Sequence, residues 1–187
     1  MSPNSNSDPS VLSDPAAVLA EMRDQLSIRE VLYRYCRAMD RMDHQLGSSV
    51  WHPGGTADYG VIFEGTGQGF VDWVMVTHAG LDRHSHQIAN VLIEVNGDQA
   101  ASEAYVTACL RSKPAENGEV VEITSRGRYL DRWSRREAGW AIDHRIFVDD
   151  MTTTRTLTAQ EAGDPSGGPG RRDVEDPSYS VFASILR

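Results

Sequence analysis

Apolar residues in the first quarter of the chain recur at three- and four-residue steps, the period of a helix with one buried face. From Pro15 onward these positions are Val18, Leu19, Met22, Leu26, Ile28, Leu32, Tyr35 and Met39. Asp14 is suited to be the helix N-cap, and Pro15 fits the first helical position. The pattern predicts a long amphipathic helix that ends at Asp40.

The stretch that follows is expected to contain short elements. Val50 to Gly55 is predicted to break the chain, and Ala57 to Glu64 to form a short strand pair that turns near Gly60. Gly65 to Gly69 predicts a turn, and Phe70 to Ala79 a second helix.

Beyond Gly80 the apolar period falls to two, which is typical of strands. The predicted strands are His86 to Val95, Gln99 to Ser112, Glu119 to Ser134 and Gly139 to Asp149. Asn96-Gly97-Asp98 and Glu116-Asn117-Gly118 are tight-turn sequences between the first three. Helices followed by an antiparallel meander predict an α+β fold, in which a strongly curved sheet wraps over the helices as an open cone.

The ends of the chain differ in composition from its centre. Residues 1–14 are rich in Ser, Asn, Asp and Pro and are predicted to be a tail, and residues 15–155 to be one domain. Residues 156–187 form a C-terminal extension with a Gly/Pro/Ser-rich linker at 163–170. Its last part, 174–186, either docks on the domain through apolar side chains or stays loose.

Composition limits the possible partners. The formal net charge of −9 and the pI of about 5.1 disfavour nucleic acid and anionic membrane surfaces. The two cysteines, Cys36 and Cys109, match neither a metal site nor a disulfide framework. Neither a targeting segment nor an apolar run of about 18 residues occurs. We expect a soluble cytoplasmic protein.

The chemistry centres on Asp40 and on His86, 46 positions later. A carboxylate at a helix C-terminus is disfavoured by the helix dipole, so a nearby imidazole would help to explain its position. Asp40 could fix the tautomer of His86 and stabilise the imidazolium that forms when the ring takes a substrate proton. The alternative is a solvated helix-end aspartate and a structural histidine.

Two tyrosines are candidates to assist this base. The hydroxyl of Tyr59 or Tyr35 could donate to a leaving oxygen, although either ring could equally be a core residue. Tyr35 lies about 140° from Asp40 around the helix, so the two need not share a face.

Polar residues on the later strands are further candidates. Arg145 lies in an otherwise apolar strand and could orient an anionic or phenolic substrate, or pair with Asp143 or Asp149. Asn90, four residues after His86, is expected on the same strand face and could hydrogen-bond in the cavity or only complete the strand.

Three sequence segments resemble the SnoaL-like enzymes of the NTF2-like superfamily across residues 16–155. They are the helix from Ile28 to Asp40 with Asp43 and Trp51-His52-Pro53, the run His84-Ser85-His86 leading to Asn90-Val91-Leu92-Ile93, and Trp140 with Ile142, Arg145 and Phe147. The resemblance implies a cone-shaped α+β fold and a homo-oligomer, with a trimer favoured.

Relatives of this kind include a hexachlorocyclohexane dehydrochlorinase, scytalone dehydratase, a bile-acid 7α-dehydratase and a formaldehyde lyase acting on lignin-derived diarylpropanes. In them an Asp–His pair removes a proton without metal or coenzyme. The resemblance implies Asp40, His86 and Tyr59 as catalytic residues. It implies Tyr35 and Arg145 as substrate-binding residues, to which Asn90 is added from its strand position.

These observations together predict a cofactor-independent lyase for catabolism of aromatic compounds. Its Asp–His base would eliminate formaldehyde, water or both from a hydroxylated aromatic substrate, for which a diarylpropane is one candidate. The alternatives are a dehydratase, dehydrochlorinase or isomerase for a steroid-like or alicyclic substrate, and a non-catalytic ligand-binding module. His84 and His86 share a strand face but lack a compact carboxylate set, so no metal site is expected.

Overall fold

The computed structural model describes residues 14–163, 168 and 170–185. The predicted tail, except for Asp14, lies outside the described residues, as do most of the linker and Leu186.

In the described part the predicted elements occur in the predicted order: a long helix, a short strand pair, another helix and then four long strands. The helices are α1 (Pro15–Arg41), α2 (His44–Ser49), α3 (Gly67–Ala79), α4 (Ala159–Ala162) and α5 (Pro177–Ile185). The strands are β1 (Trp51–Asp58), β2 (Glu64–Thr66), β3 (Leu81–Asn96), β4 (Gln99–Ser112), β5 (Val120–Arg136) and β6 (Gly139–Leu157). They form one sheet in the order β2-β1-β6-β5-β4-β3. This is the predicted α+β architecture with a curved sheet over N-terminal helices.

The sheet is antiparallel except where β1 runs parallel to β6. A core of side chains from α1, α3 and the inner sheet face fills the space between them.

Helix α1 begins at the predicted N-cap and ends one residue later than predicted, at Arg41. The Asp14 side chain accepts a hydrogen bond from the Ala16 amide at 2.9 Å, and Met42, with φ of 54°, ends the helix in the left-handed conformation. One face of its second half is buried from Ile28 onward, while Tyr33 on the other face is exposed. Four apolar positions of its first half are exposed instead: Val18, Leu19, Met22 and Leu26.

Strand β1 corrects the predicted break at residues 50–55. The strand forms because β6 lies alongside it: Trp51 pairs with Ile142, and Thr56 to Asp58 pair with His144 to Ile146, while Gly54 between them has φ of 80°. Pro53 lies where the register shifts between Trp51 and Thr56, so its missing N–H removes no regular ladder bond. At Gly55 a side chain would meet the Ile142 carbonyl oxygen at 2.8 Å, so only glycine fits this approach.

Strand β3 begins at Leu81 rather than at His86, so His86 lies inside the strand. A bulge between Ala89 and Leu92 holds Asn90 at φ of 47°. Before the bulge even-numbered residues are the more buried ones, and after it the odd-numbered ones are. Asn90 is therefore exposed and does not share the face of His86, contrary to the prediction.

Two other strands, β5 and β6, also differ from their predicted bounds, and β5 spans Val120–Arg136 rather than Glu119 to Ser134. Strand β6 continues to Leu157 instead of ending at Asp149, because β5 pairs with it as far as Val120. The bounds predicted for β4 agree with the structure.

Candidate active site

The structure brings Asp40 and His86 together. Asp40 lies in the last turn of α1, and its Oδ1 is 2.7 Å from His86 Nδ1. The backbone N–H of His86 donates to Asp40 Oδ2 at 3.1 Å, so both carboxylate oxygens face one residue. The Asp40 and His86 side chains are 17% and 7% exposed.

This contact determines which ring nitrogen can act as a base. The carboxylate accepts from Nδ1–H, which leaves the lone pair on Nε2 of His86. A proton taken by Nε2 would create an imidazolium next to the Asp40 carboxylate, which stabilises it. The arrangement is that of an oriented general base with little exposure to solvent.

Two further histidines adjoin the pair. The ring centroids of His78 and His84 lie 5.8 and 6.1 Å from that of His86, and 4.5 Å from each other. Burial, followed by its two neighbours, lowers the pKa of His78 to about 3, and burial also lowers the pKa of His84. Sequence reasoning missed His78, although three histidines within nine residues were a usable signal.

The two candidate tyrosines meet each other in the core. The hydroxyl oxygens of Tyr35 and Tyr59 are 2.9 Å apart, and the Tyr59 ring stacks on Phe70 with centroids 4.1 Å apart. Tyr59 follows the end of β1, in a turn in which its amide donates to the Phe63 carbonyl. Burial raises the pKa of both phenols well above its ordinary value. They therefore remain protonated and can donate hydrogen bonds.

Arg145 is fully buried and paired, although not with the acids expected from its neighbourhood. Its Nε and Nη2 donate to the two carboxylate oxygens of Asp131 at 2.7 and 2.8 Å. Burial alone would lower the pKa of Arg145, but Asp131 outweighs it and the pKa is raised. The expected partners are engaged elsewhere: Asp143 accepts from Arg136, and Asp149 from Thr152.

The guanidinium of Arg145 lies between two tyrosine rings. Its central carbon is 4.3 Å from the Tyr35 centroid and 3.9 Å from that of Tyr129. Its Nη1 is buried and has no hydrogen-bond partner among the described residues. Sequence reasoning missed Tyr129 and Asp131, although both alternate with Trp133 on one buried face of β5.

A cleft of about 470 Å³ opens beside the pair, lined by Asp40, His84 and the C-terminal residues Gly170 to Asp173 among others. A larger, open depression of about 670 Å³ lies over Thr56 and His144, away from the pair.

The described residues show neither a metal-binding cluster nor a membrane-spanning helix. Residues 14–163 and 170–185 contain no group of three or more His, Cys, Asp and Glu side chains placed to hold a metal ion. Among the helices of the described chain, none has the length and apolarity needed to cross a bilayer.

Comparison with known proteins connects this geometry to a family. Residues 20–146 match the family described as SnoaL-like domain. The chain belongs to the SnoaL-like family. This membership agrees with the resemblance of the helix ending at Asp40 and the strand carrying His86, and with the NTF2-like cone. No protein of curated function matches the chain.

Solved structures similar to this SnoaL-like chain share its fold at low identity. A hexachlorocyclohexane dehydrochlorinase from Novosphingobium barchaimii is 17% identical, with a TM-score of 0.63 over 81% of this chain and 99% of that one. A Novosphingobium aromaticivorans protein named "Putative Scytalone Dehydratase" is 20% identical, with a TM-score of 0.62 over 81% and 96%. The Kfla4162 protein from Kribbella flavida is 17% identical, with a TM-score of 0.65 over 71% and 95%.

Proposed function

We propose that this SnoaL-like protein is a cofactor-independent lyase in which His86, oriented by Asp40, is the general base. Its substrate is a hydroxylated aromatic compound such as a lignin-derived diarylpropane, from which formaldehyde, water or both are eliminated. The observation that carries the proposal is the 2.7 Å contact between His86 Nδ1 and Asp40 Oδ1, at side chains largely withdrawn from water.

For a diarylpropane carrying a primary alcohol, the elimination begins at that alcohol. His86 Nε2 takes the hydroxyl proton, the oxygen forms the C=O of formaldehyde, and the adjacent C–C bond breaks. Its electron pair forms the alkene as a hydroxyl group departs from the next carbon, and the proton on His86 leaves with that oxygen as water. For a simple dehydration the same nitrogen takes a proton from carbon instead.

The paired hydroxyl groups of Tyr35 and Tyr59 are suited to stabilise the oxygen that departs from the substrate. Tyr59, held by Tyr35 at 2.9 Å, would donate a hydrogen bond to oxygen that gains negative charge in the transition state. Burial raises the pKa of Tyr59, so the donor keeps its proton across the pH range of the reaction. Arg145 would act on the two phenols rather than on the substrate, because its guanidinium lies against the Tyr35 ring.

The aromatic side chains that pack around Tyr59 favour an aromatic substrate. Phe70 and Phe147 stack on it at 4.1 and 5.4 Å, and Trp73 lies 5.9 Å from Phe70. Aromatic side chains pack well against aromatic ligands in offset and edge-on arrangements. The named activities of two structural neighbours, dehydrochlorination and dehydration, are both eliminations and agree with this chemistry.

The test is a screen of hydroxylated aromatic and steroid-like compounds with no added cofactor, followed by liquid chromatography and mass spectrometry. An elimination gives a product lighter by formaldehyde, water or hydrogen halide. On the best substrate, His86→Ala and Asp40→Asn should each lower kcat by at least about a hundredfold while the circular dichroism spectrum is unchanged.

The chain supplies a matched control pair. His44 Nε2 and Asp72 Oδ1 are 2.6 Å apart, but both side chains are more than half exposed. His44→Ala and Asp72→Asn should leave kcat within about twofold. Unchanged turnover in His86→Ala would remove His86 from the mechanism, and a product of the same mass as the substrate would indicate an isomerase. Tight binding without any turnover would indicate a binding module.

A further inference from the structure

We propose that Arg172 is a positioning residue, which fixes the neutral tautomer of His84 and through it the carboxylate that orients His86. This inference rests on the proposed function for its effect on turnover, but not for its effect on His84.

Arg172 makes contacts that only a forked side chain can make together. Its Nη1 donates to the His78 carbonyl at 2.9 Å and is 3.1 Å from His84 Nδ1, while Nη2 donates to the Leu81 carbonyl at 2.9 Å. The two carbonyl groups, of His78 and Leu81, lie where α3 ends and β3 begins, so Arg172 joins the helix terminus to the strand that carries His84 and His86.

These contacts determine the protonation state of His84. A guanidinium has no acceptor, so the nitrogen that faces it, Nδ1, must offer a lone pair. The other nitrogen, Nε2, is 2.8 Å from the Met39 carbonyl oxygen, which can only accept. The Nε2–H tautomer is the one state that satisfies both contacts, and a proton on Nδ1 would break the contact with Arg172.

The hydrogen bond from His84 Nε2 to the Met39 carbonyl connects the tautomer of His84 to the proposed general base, His86. Met39 immediately precedes Asp40 in the last turn of α1, and both carboxylate oxygens of Asp40 face His86. A neutral His84 also avoids a second positive ring 6.1 Å from His86, which has to become positive during the reaction.

Every charged or titratable group near His84 bears on its titration. These groups are His78 from α3, Asp40 and Arg41 from α1, Asp82, Arg83 and His86 from β3, Cys109 and Arg111 flanking its partner Leu110 on β4, and Arg171, Arg172 and Asp173 from the C-terminal segment.

The segment that carries Arg172 is anchored at several points. Asp176 lies 3.3 Å from Arg41 Nε, and the Tyr179 hydroxyl donates to Asp43 at 3.1 Å. The Arg37 guanidinium lies 4.6 Å from the Tyr179 ring centroid. The C-terminal extension, for which the sequence allowed a docked or a loose state, docks against the end of α1 that bears Asp40.

The experiment measures the tautomer directly. Nitrogen-15 spectra of the imidazoles, with His84 assigned by the loss of its signals in His84→Gln, should show the Nε2–H form at neutral pH in the native protein. In Arg172→Ala the Nδ1 signal should move toward the averaged tautomer value, and the pKa of His84 should rise because a neighbouring positive charge is removed. The kcat should fall by about ten- to a hundredfold with KM nearly unchanged. In the pH profile of kcat, the acid limb should move to higher pH.

Two variants separate positioning from a general loss of structure. Arg172→Lys keeps the charge but not the fork, and should recover part of the turnover. Arg34→Ala removes an exposed arginine that pairs with the exposed Glu30 and does not line the cleft, and should leave the His84 spectrum and kcat unchanged.

A native His84 in the Nδ1–H or charged form, or a His84 signal unaffected by Arg172→Ala, would overturn the inference. If His86→Ala kept full turnover the proposed function would fail, while the spectra would still decide the role of Arg172.

Discussion

The ion pair of Arg145 with Asp131 gives the sharpest stability prediction. Both side chains are 0% exposed, and two hydrogen bonds of 2.7 and 2.8 Å join them. In Asp131→Ala the guanidinium would stay buried with no counter-charge, and its Nη1 has no partner among the described residues even now. Breaking a buried pair from one side costs about 3–5 kcal/mol, a large part of the roughly 5–15 kcal/mol that stabilises a domain.

The assay is urea unfolding followed by far-ultraviolet circular dichroism. Glu30→Ala is the matched control, because Glu30 pairs with Arg34 at 3.1 Å with both side chains more than half exposed. Loss of this exposed ion pair should change the free energy of unfolding by less than about 0.5 kcal/mol.

A double substitution tests the physical reason. Asp131→Leu with Arg145→Met removes both charges and fills much of the same volume, so it should be far closer to the native stability than Asp131→Ala. A loss below about 1 kcal/mol in Asp131→Ala, or a double variant as unstable as the single one, would refute the reasoning.

Other predictions concern single groups. The folded pKa of His78, about 3, lies below its unfolded value of 6.5, so its neutral form contributes full stability above pH 6.5 and loses it as the pH falls toward 3. Between pH 7 and pH 4 the free energy of unfolding, measured in urea, should therefore fall by about 3 kcal/mol less in His78→Gln than in the native protein. Tyr59→Phe should lower kcat by about a hundredfold without changing the far-ultraviolet spectrum; a smaller effect on kcat would exclude it as the donor. Gly67→Ala would drive a methyl group into the Trp51 ring and should cost about 1–3 kcal/mol, whereas a methyl group at Gly168 meets no atom of the described residues and should cost little. Light scattering should give a homo-oligomer, with the mass of a trimer favoured, and a monomer would contradict this.

Local patterns predicted the elements whose information lies within a few residues. The N-cap at Asp14 and the span of β4 follow from neighbouring side chains, and both agree with the structure. The strand over residues 51–55 was missed because glycine and proline read locally as a break. Its extended conformation depends on β6, which is about 90 residues distant in the chain.

For the candidate site too, local patterns predicted some residues correctly and misplaced others. Asp40 and His86 were identified from a helix end and a strand, and the structure brings them into contact. Asn90 was misplaced because the bulge beside it exchanges the two faces of β3. A strict alternation cannot reveal such an insertion.

The partner of Arg145 depended on a similar irregularity. From the turn, Trp133 pairs with Ile142, and an unbroken register would put Asp131 opposite His144. The shift between Arg132 and Trp133 moves Asp131 opposite Arg145 instead, where the two charges can meet.

The sequence by itself determined the order of helices and strands, the fold class and the two residues of the proposed base, since helical and strand periods and caps are encoded within short windows. Only the tertiary structure decided the acid that neutralises Arg145, the arginine that faces His84 and the exposure of Asn90. These depend on bulges and on contacts between distant segments, which follow from packing the whole chain rather than from any local pattern.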